Sequence, residues 1–205
     1  MISTIVFDMD GVLIDAKEWH YLALNNVLIN FGLDISRSDH ESLYDGLPTK
    51  VKLEQLSKSN HLPRKIHNKI NDLKQIETLR LANSDCRPNF HVINVLRELR
   101  RKNFNIGLAT NSVRKTTETF LSLSKINTFF DLIYTNEDVE RGKPDPEIYT
   151  RICLDFEVDP KEVLVFEDNE NGIKAAMEAG CKVAVVADPS DIKWDFVSKE
   201  ILDKW

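Results

Sequence analysis

The chain has 205 residues, of which 42% are hydrophobic and 29% charged, and its formal net charge is −6 at pH 7. That length suits one large domain, or a core with a smaller accessory domain, and is enough to bury a substantial apolar interior. The negative balance argues against a general nucleic-acid binder, which carries a basic face, but leaves room for a local site that takes a small anion.

The first predicted element lies in "IVFDMDGVLID", Ile5 to Asp15, where an apolar run ends in Asp8 and Asp10 with Gly11 directly after. Two readings compete here: a strand that stops in a polar turn, and a metal-assisted nucleophile beside its proton shuttle. Residues 17 to about 84 then read as all-helical. "KEWHYLALNNVLINFG" places Trp19, Leu22, Ala23, Val27 and Phe31 at helical spacing, and Gly32 is suited to end the helix. A second helix is expected from Pro48 and a third from Pro63. The third carries a stripe of Ile66, Ile70, Leu73, Ile76, Leu79 and Leu81, with its lysines and asparagines as a solvated face.

From Pro88 onward the texture changes to alternation. "NFHVINVLRELRRKN", "VRKTTETFLSLS", "DPEIYTRICLDFE" and "NGIKAAMEAG" read as helices, while "FNIGLAT", "FFDLIYTN", "EVLVFED" and "KVAVVAD" read as strands. Short apolar strands alternating with helices imply crossover units and a parallel sheet. The fold class expected is therefore α/β: a doubly wound, Rossmann-like parallel-sheet core formed by residues 1–15 and 85–205. Residues 16–84 form a small all-helical cap domain inserted after the first strand.

In such a sheet, ligands bind beyond the carboxyl ends of the strands. Those ends carry Asp8 and Asp10; Thr110, Asn111 and Ser112; Lys143, in the loop after the third strand; and Glu167 with Asp168. Gathered carboxylates raise one another's pKa unless a cation sits among them, and all-oxygen ligation suits Mg²⁺. A lysine and a hydroxyl opposite suit the oxygens of a phosphate. Because i and i+2 share a side of an extended strand, Asp8 and Asp10 can face one site with different jobs.

These stretches, in this order, resemble the haloacid dehalogenase superfamily in its phosphatase and phosphomutase branch. "FDMDGVLID" is similar to the first motif, "LATNS" to the second, "GKPDPEIY" to the third and "FEDNENGIKAAMEAG" to the fourth. The helical insertion resembles the β-phosphoglucomutase-like group. By that likeness Asp8 is the nucleophile and forms an aspartyl-phosphate, Asp10 is the acid/base, Thr110 binds phosphate and Lys143 neutralises it. Mg²⁺ is held by Asp8, the Asp10 carbonyl and Asp168, with Glu167 on the magnesium side. Gly11 and Asn111 line the phosphate, and His20, Gly46, Thr49 and Lys50 face the substrate from the cap.

Two departures from the mutase pattern stand out. Where the mutase has an arginine for the second phosphate, "YDGLPTK" offers Thr49 and Lys50, and the later cap lysine has no clear counterpart, since Ile70 falls nearest with Lys69 beside it. Both favour a phosphatase acting on a small phosphomonoester, foremost a sugar phosphate, over a phosphomutase; a non-catalytic binding module is the remaining alternative. The expected partner is a small phosphorylated metabolite, with no nucleic acid and no membrane. No apolar run approaches the roughly 18 residues of a membrane span, and no signal peptide is evident. Cys86, Cys153 and Cys181 follow no C-x-x-C spacing and read as reduced core thiols. A cytoplasmic protein, monomeric by default, is expected.

Overall fold

The computed structural model describes residues 1–44, 46–59 and 62–203, so Asp45 of "YDGLPTK" and His61, two positions before Pro63, lie outside the described residues. Two compact units divide the chain: Met1–Asp15 with everything from Arg87 onward, and Ala16–Cys86 between them in sequence. Cys86 falls with the helical unit because its N–H closes the last turn of a helix on the Ala82 carbonyl, at 2.8 Å.

The opening strand, β1 (Thr4–Phe7), belongs to the first unit. The helical unit follows with α1 (Lys17–Leu28), a single turn α2 (Arg37–Asp39), α3 (Thr49–Ser59) and α4 (His67–Asp85). A 3-10 turn extends α1 to Phe31 and ends at Gly32, whose φ of +72° is the left-handed conformation a glycine adopts without strain. Leu24, Leu28, Leu53, Leu56 and Ile70 form the interior of this unit.

The stripe expected on α4 coincides with its buried face only in part, at Ile70. Leu73 and Ile76 are exposed, whereas His67, Ile70, Lys74, Thr78 and Ala82 are buried. Their near-regular i, i+4 spacing marks the face of α4 turned inward, and α4 packs on α1. Lys52 and Lys74 are likewise buried rather than solvated. A lysine stem supplies apolar surface, and the Lys74 amine finds a partner on α1, described below.

In the α/β unit, β2 (Asn105–Ala109), β3 (Leu132–Tyr134), β4 (Val163–Glu167) and β5 (Lys182–Val185) join β1 in one parallel sheet of order β3-β2-β1-β4-β5. Every residue of β1 and of β4 is buried, as expected of central parallel strands covered on both faces. The helices of this unit are α5 (Phe90–Arg101), α6 (Arg114–Leu123), α7 (Glu147–Asp155), α8 (Glu170–Glu178) and α9 (Trp194–Asp203). Val92, Val95, Leu96 and Leu99 make the buried stripe of α5, and the Asn89 side chain accepts from His91 N to cap it. The last helix, α9, has no counterpart among the elements read from the sequence; Val197 and Ile201 are its buried residues and Phe196 packs edge-on against Phe166, too short a pattern to stand out.

Strand order reverses direction at β1, which has β2 on one side and β4 on the other. That is the switch point where a doubly wound sheet opens a crevice. Phe7 pairs with both Leu108 and Phe166, so the chain leaves the sheet at one level through Asp8, Ala109 and Glu167. No helix among the described residues is long and apolar enough to cross a membrane.

Candidate active site

Register alone brings the first acids together. Asp8 continues β1 and its N–H donates to Phe166 O at 3.0 Å, tying the start of the loop to the neighbouring strand. The chain then turns sharply: Gly11, at φ +90°, donates to Ile14 O, and the N–H groups of Leu13 and Ile14 both reach Met9 O. A side chain at residue 11 would be strained in that conformation, which accounts for a glycine directly after the second aspartate.

Lys143 reaches the centre of this group from the loop after β3. Its Nζ donates to Asp8 Oδ1 at 2.6 Å, to Glu167 Oε1 at 2.5 Å and to Ala109 O at 2.9 Å. An ammonium has three protons, so each is accounted for. Asn111 fixes the approach of that loop: its Nδ2 donates to Lys143 O at 3.1 Å while its Oδ1 accepts from Lys143 N at 3.0 Å. The Asn111 side chain, expected at the phosphate, thus holds the Lys143 backbone.

Ser112, placed at a strand end by the sequence but given no role there, contacts the second aspartate. The capping position of α6 is Val113, and Ser112 Oγ instead donates to Asp10 Oδ2 at 2.7 Å. Thr110 is buried and its Oγ1 accepts from Ser112 N at 3.0 Å, so the hydroxyl expected at the phosphate also shapes the turn that delivers Ser112.

Glu167 and Asp168 complete the acidic side. Ligand oxygens of Asp8, Glu167 and Asp168 lie within 4.8 Å of one another. Glu167 is enclosed by protein: Oε1 also accepts from Tyr149 Oη at 2.7 Å, and Oε2 accepts from Asp168 N at 3.2 Å. On α8, Gly172 leaves the space that the Glu167 carboxyl fills. Oxygen-only donors of this charge fit a hard divalent cation such as Mg²⁺.

The electrostatics express the same crowding. Burial pushes the Asp8 carboxyl well above its usual range; Lys143 opposes this, while Glu167, Asp168 and Asp10 add to the rise. Burial pulls the Lys143 ammonium down, but the combined attraction and hydrogen bonds of Asp8 and Glu167 outweigh it and hold its pKa above the ordinary value. Burial, then the Glu167 charge, also raises Tyr149, so its phenol stays protonated as a donor.

Four expected substrate contacts belong to the helical unit. Gly46 has φ +69°, Thr49 opens α3, and Lys50 is exposed on its first turn. His20 lies on α1, and its Nδ1 is 3.0 Å from Lys74 Nζ. A cap lysine, Lys74, thus meets His20, away from the Ile70 and Lys69 to which the sequence pointed. It stands one helical turn later, and spacing along α4 could not reveal this.

Comparison with known proteins agrees with this geometry. Residues 5–186 match the family model described as haloacid dehalogenase-like hydrolase. A phosphorylated carbohydrates phosphatase of Thermotoga maritima is 28% identical over 184 residues, covering 87% of this chain and 82% of that protein. Pyrophosphatase PpaX of Bacillus cereus is 30% identical over 197 residues, covering 91% and 83%. The crystal structure of β-phosphoglucomutase from Clostridium difficile superposes with a TM-score of 0.86 at 22% identity, covering 99% of this chain and 98% of that one. The chain belongs to the haloacid dehalogenase-like hydrolase family, with the fold of its β-phosphoglucomutase-like members, and is a hydrolase of that family.

Proposed function

We propose that this hydrolase is a Mg²⁺-dependent phosphatase that cleaves a small phosphomonoester, foremost a sugar phosphate, through an aspartyl-phosphate on Asp8. The observation that carries the reading is the meeting of Asp8, Glu167 and Asp168 beside Lys143 at the switch point of the sheet. The class of ester is supported by the relative that acts on phosphorylated carbohydrates. The reading includes a cytoplasmic, monomeric enzyme whose partner is a phosphorylated metabolite rather than nucleic acid, in keeping with the net charge of −6.

In this reading an oxygen of Asp8 attacks phosphorus and forms the acyl-phosphate bond as the ester O–P bond breaks. Asp10 gives its proton to the leaving alkoxide, then takes one from the water that attacks the phosphorus of the aspartyl-phosphate, releasing inorganic phosphate and restoring Asp8. Ser112 holds the Asp10 carboxyl at one oxygen, fixing which side of the site the proton moves along. Lys143, pointed by Glu167 and Ala109 O, offsets charge on the transferring group, with Thr110 and the amides following Asp8 and Thr110 around it. Asp8, Asp168 and the Asp10 carbonyl would hold Mg²⁺, with Glu167 beside them, and the ion supplies further neutralisation of phosphoryl charge.

Purified protein assayed with Mg²⁺ against a panel of phosphate esters tests the reading. Phosphate release from sugar phosphates, abolished in Asp8→Asn, is the expected result; release from no ester overturns it. A phosphomutase is the second reading, favoured by the Lys74–His20 contact and opposed by Thr49 where that activity places an arginine. The ratio of isomerised sugar phosphate to free phosphate, with a bisphosphate activator present, separates the two.

A further inference from the structure

We infer that Tyr149 is a positioning residue for the transfer step, acting through Glu167 on Lys143. The inference rests on the phosphatase reading and assigns a role to a residue outside the nucleophile, proton shuttle and phosphate ligands. Tyr149 is fully buried on α7, its ring within the cluster that includes Val6, Ala109, Ile152 and Val165. Packing accounts for the ring but not for the hydroxyl, which a phenylalanine would omit without changing the space filled. The hydroxyl donates to Glu167 Oε1 at 2.7 Å, the same oxygen that receives Lys143 Nζ at 2.5 Å.

That shared oxygen joins the two residues. Lys143 takes its direction from three acceptors, and of these Ala109 O is fixed by β2, whereas Asp8 must engage phosphorus during the reaction. Glu167 is then the side-chain acceptor that keeps Lys143 in place while Asp8 reacts. A carboxylate rotates about its terminal bond unless both oxygens are held. Asp168 N holds Oε2, and Tyr149 Oη is the neutral donor that holds Oε1 independently of Lys143. The ring also lies beneath the ammonium, 5.1 Å from centroid to Nζ, so the residue meets both members of the pair.

Tyr149→Phe keeps the ring and deletes this one donor. A hydrogen bond to a charged acceptor contributes enough for kcat to fall about ten- to hundredfold, with KM little changed because Lys143 acts on charge that develops during transfer. Affinity for tetrafluoroaluminate, which mimics the transferring group, should fall by the same factor. Ile152→Val, in the same cluster, is the control for packing: it lowers the melting temperature and leaves kcat unchanged. A double-mutant cycle with Glu167→Gln gives the decisive readout, since two residues acting in series produce a double variant no slower than the slower single.

Wild-type kcat in Tyr149→Phe, or losses that multiply in the double variant, overturns the inference while the phosphatase reading stands. A wild-type chain that releases no phosphate from any ester overturns that reading and this inference with it.

Discussion

A Cβ placed on Gly172 would lie 1.8 Å from Glu167 Oε1 and 2.0 Å from its carboxyl carbon. Glycine in a helix ordinarily costs about 1 kcal/mol relative to alanine, so propensity by itself favours replacing it. The contact predicts the opposite. Glu167 is buried and held by Lys143, Tyr149 and the Asp168 amide, so its carboxyl has no free direction in which to yield. Gly172→Ala should lose about 1–3 kcal/mol of stability, the usual cost of overpacking, and at least about tenfold in kcat as Lys143 is displaced. Urea denaturation and steady-state kinetics check both; a variant more stable than wild type and fully active would show that Glu167 relaxes freely.

Removing Lys143 should expose what it balances. Its side chain is 3% exposed and lies between Asp8 and Glu167. A buried ion pair is poor evidence of net stability, since desolvation offsets much of the attraction, but deleting one partner leaves the other charge uncompensated. Lys143→Met is expected to lose about 3–5 kcal/mol without added metal and all measurable turnover. Mg²⁺ should restore part of the stability and none of the activity, because a second cation can neutralise the carboxylates without occupying the lysine's place. Equal unfolding midpoints for variant and wild type without metal would sink the idea.

The residues legible in the sequence and those that were not differ in a physical way. β1, β2 and β4 are short apolar runs, and whatever follows them must stand at one edge of the sheet, so Asp8, Thr110 and Glu167 were readable from local pattern alone. The Lys74–His20 contact, the Ser112–Asp10 bond and the Tyr149–Glu167 bond join residues separated by 54, 102 and 18 positions, with no local signature. Polar residues such as Lys74 and Thr78 on the buried face of α4 also mislead a reading that equates inside with apolar, which is why Leu73 and Ile76 were expected there. Tertiary pairing, and not propensity, decided those positions.

On α1, the protonation of His20 follows from its neighbour. An ammonium only donates, so Lys74 Nζ at 3.0 Å requires His20 Nδ1 to accept, which places the imidazole proton on Nε2. The expected outcome is a neutral ring in the Nε2–H form at pH 7, visible in long-range ¹H–¹⁵N spectra as two unequal nitrogen shifts. Lys74→Met should relax the preference and let both tautomers appear. Finding Nδ1–H in the wild type would mean that the lysine amine is the acceptor and carries no charge.

Acid should loosen the loop that carries Lys143 through Asp138. Its Oδ2 accepts from Thr135 N and Thr135 Oγ1, both at 2.7 Å, and from Arg114 Nη2. Burial pushes the Asp138 carboxyl up, but the hydrogen bonds from Arg114 and Thr135 outweigh it and hold its pKa below the ordinary range. The unfolded chain, with an aspartate pKa of about 3.9, therefore binds more protons than the folded one below that value. Stability from Asp138 is fully present above the unfolded pKa and is lost as pH falls through the folded one. Arg114 is partly exposed, so the contribution at pH 7 is about 1 kcal/mol. The gap in unfolding free energy between wild type and Asp138→Asn should be constant from pH 7 down to about pH 5 and narrow progressively below about pH 4. A gap that does not narrow at all as pH falls below about 4 would assign the effect to packing rather than to charge, because a protonated carboxyl and an amide differ little in shape.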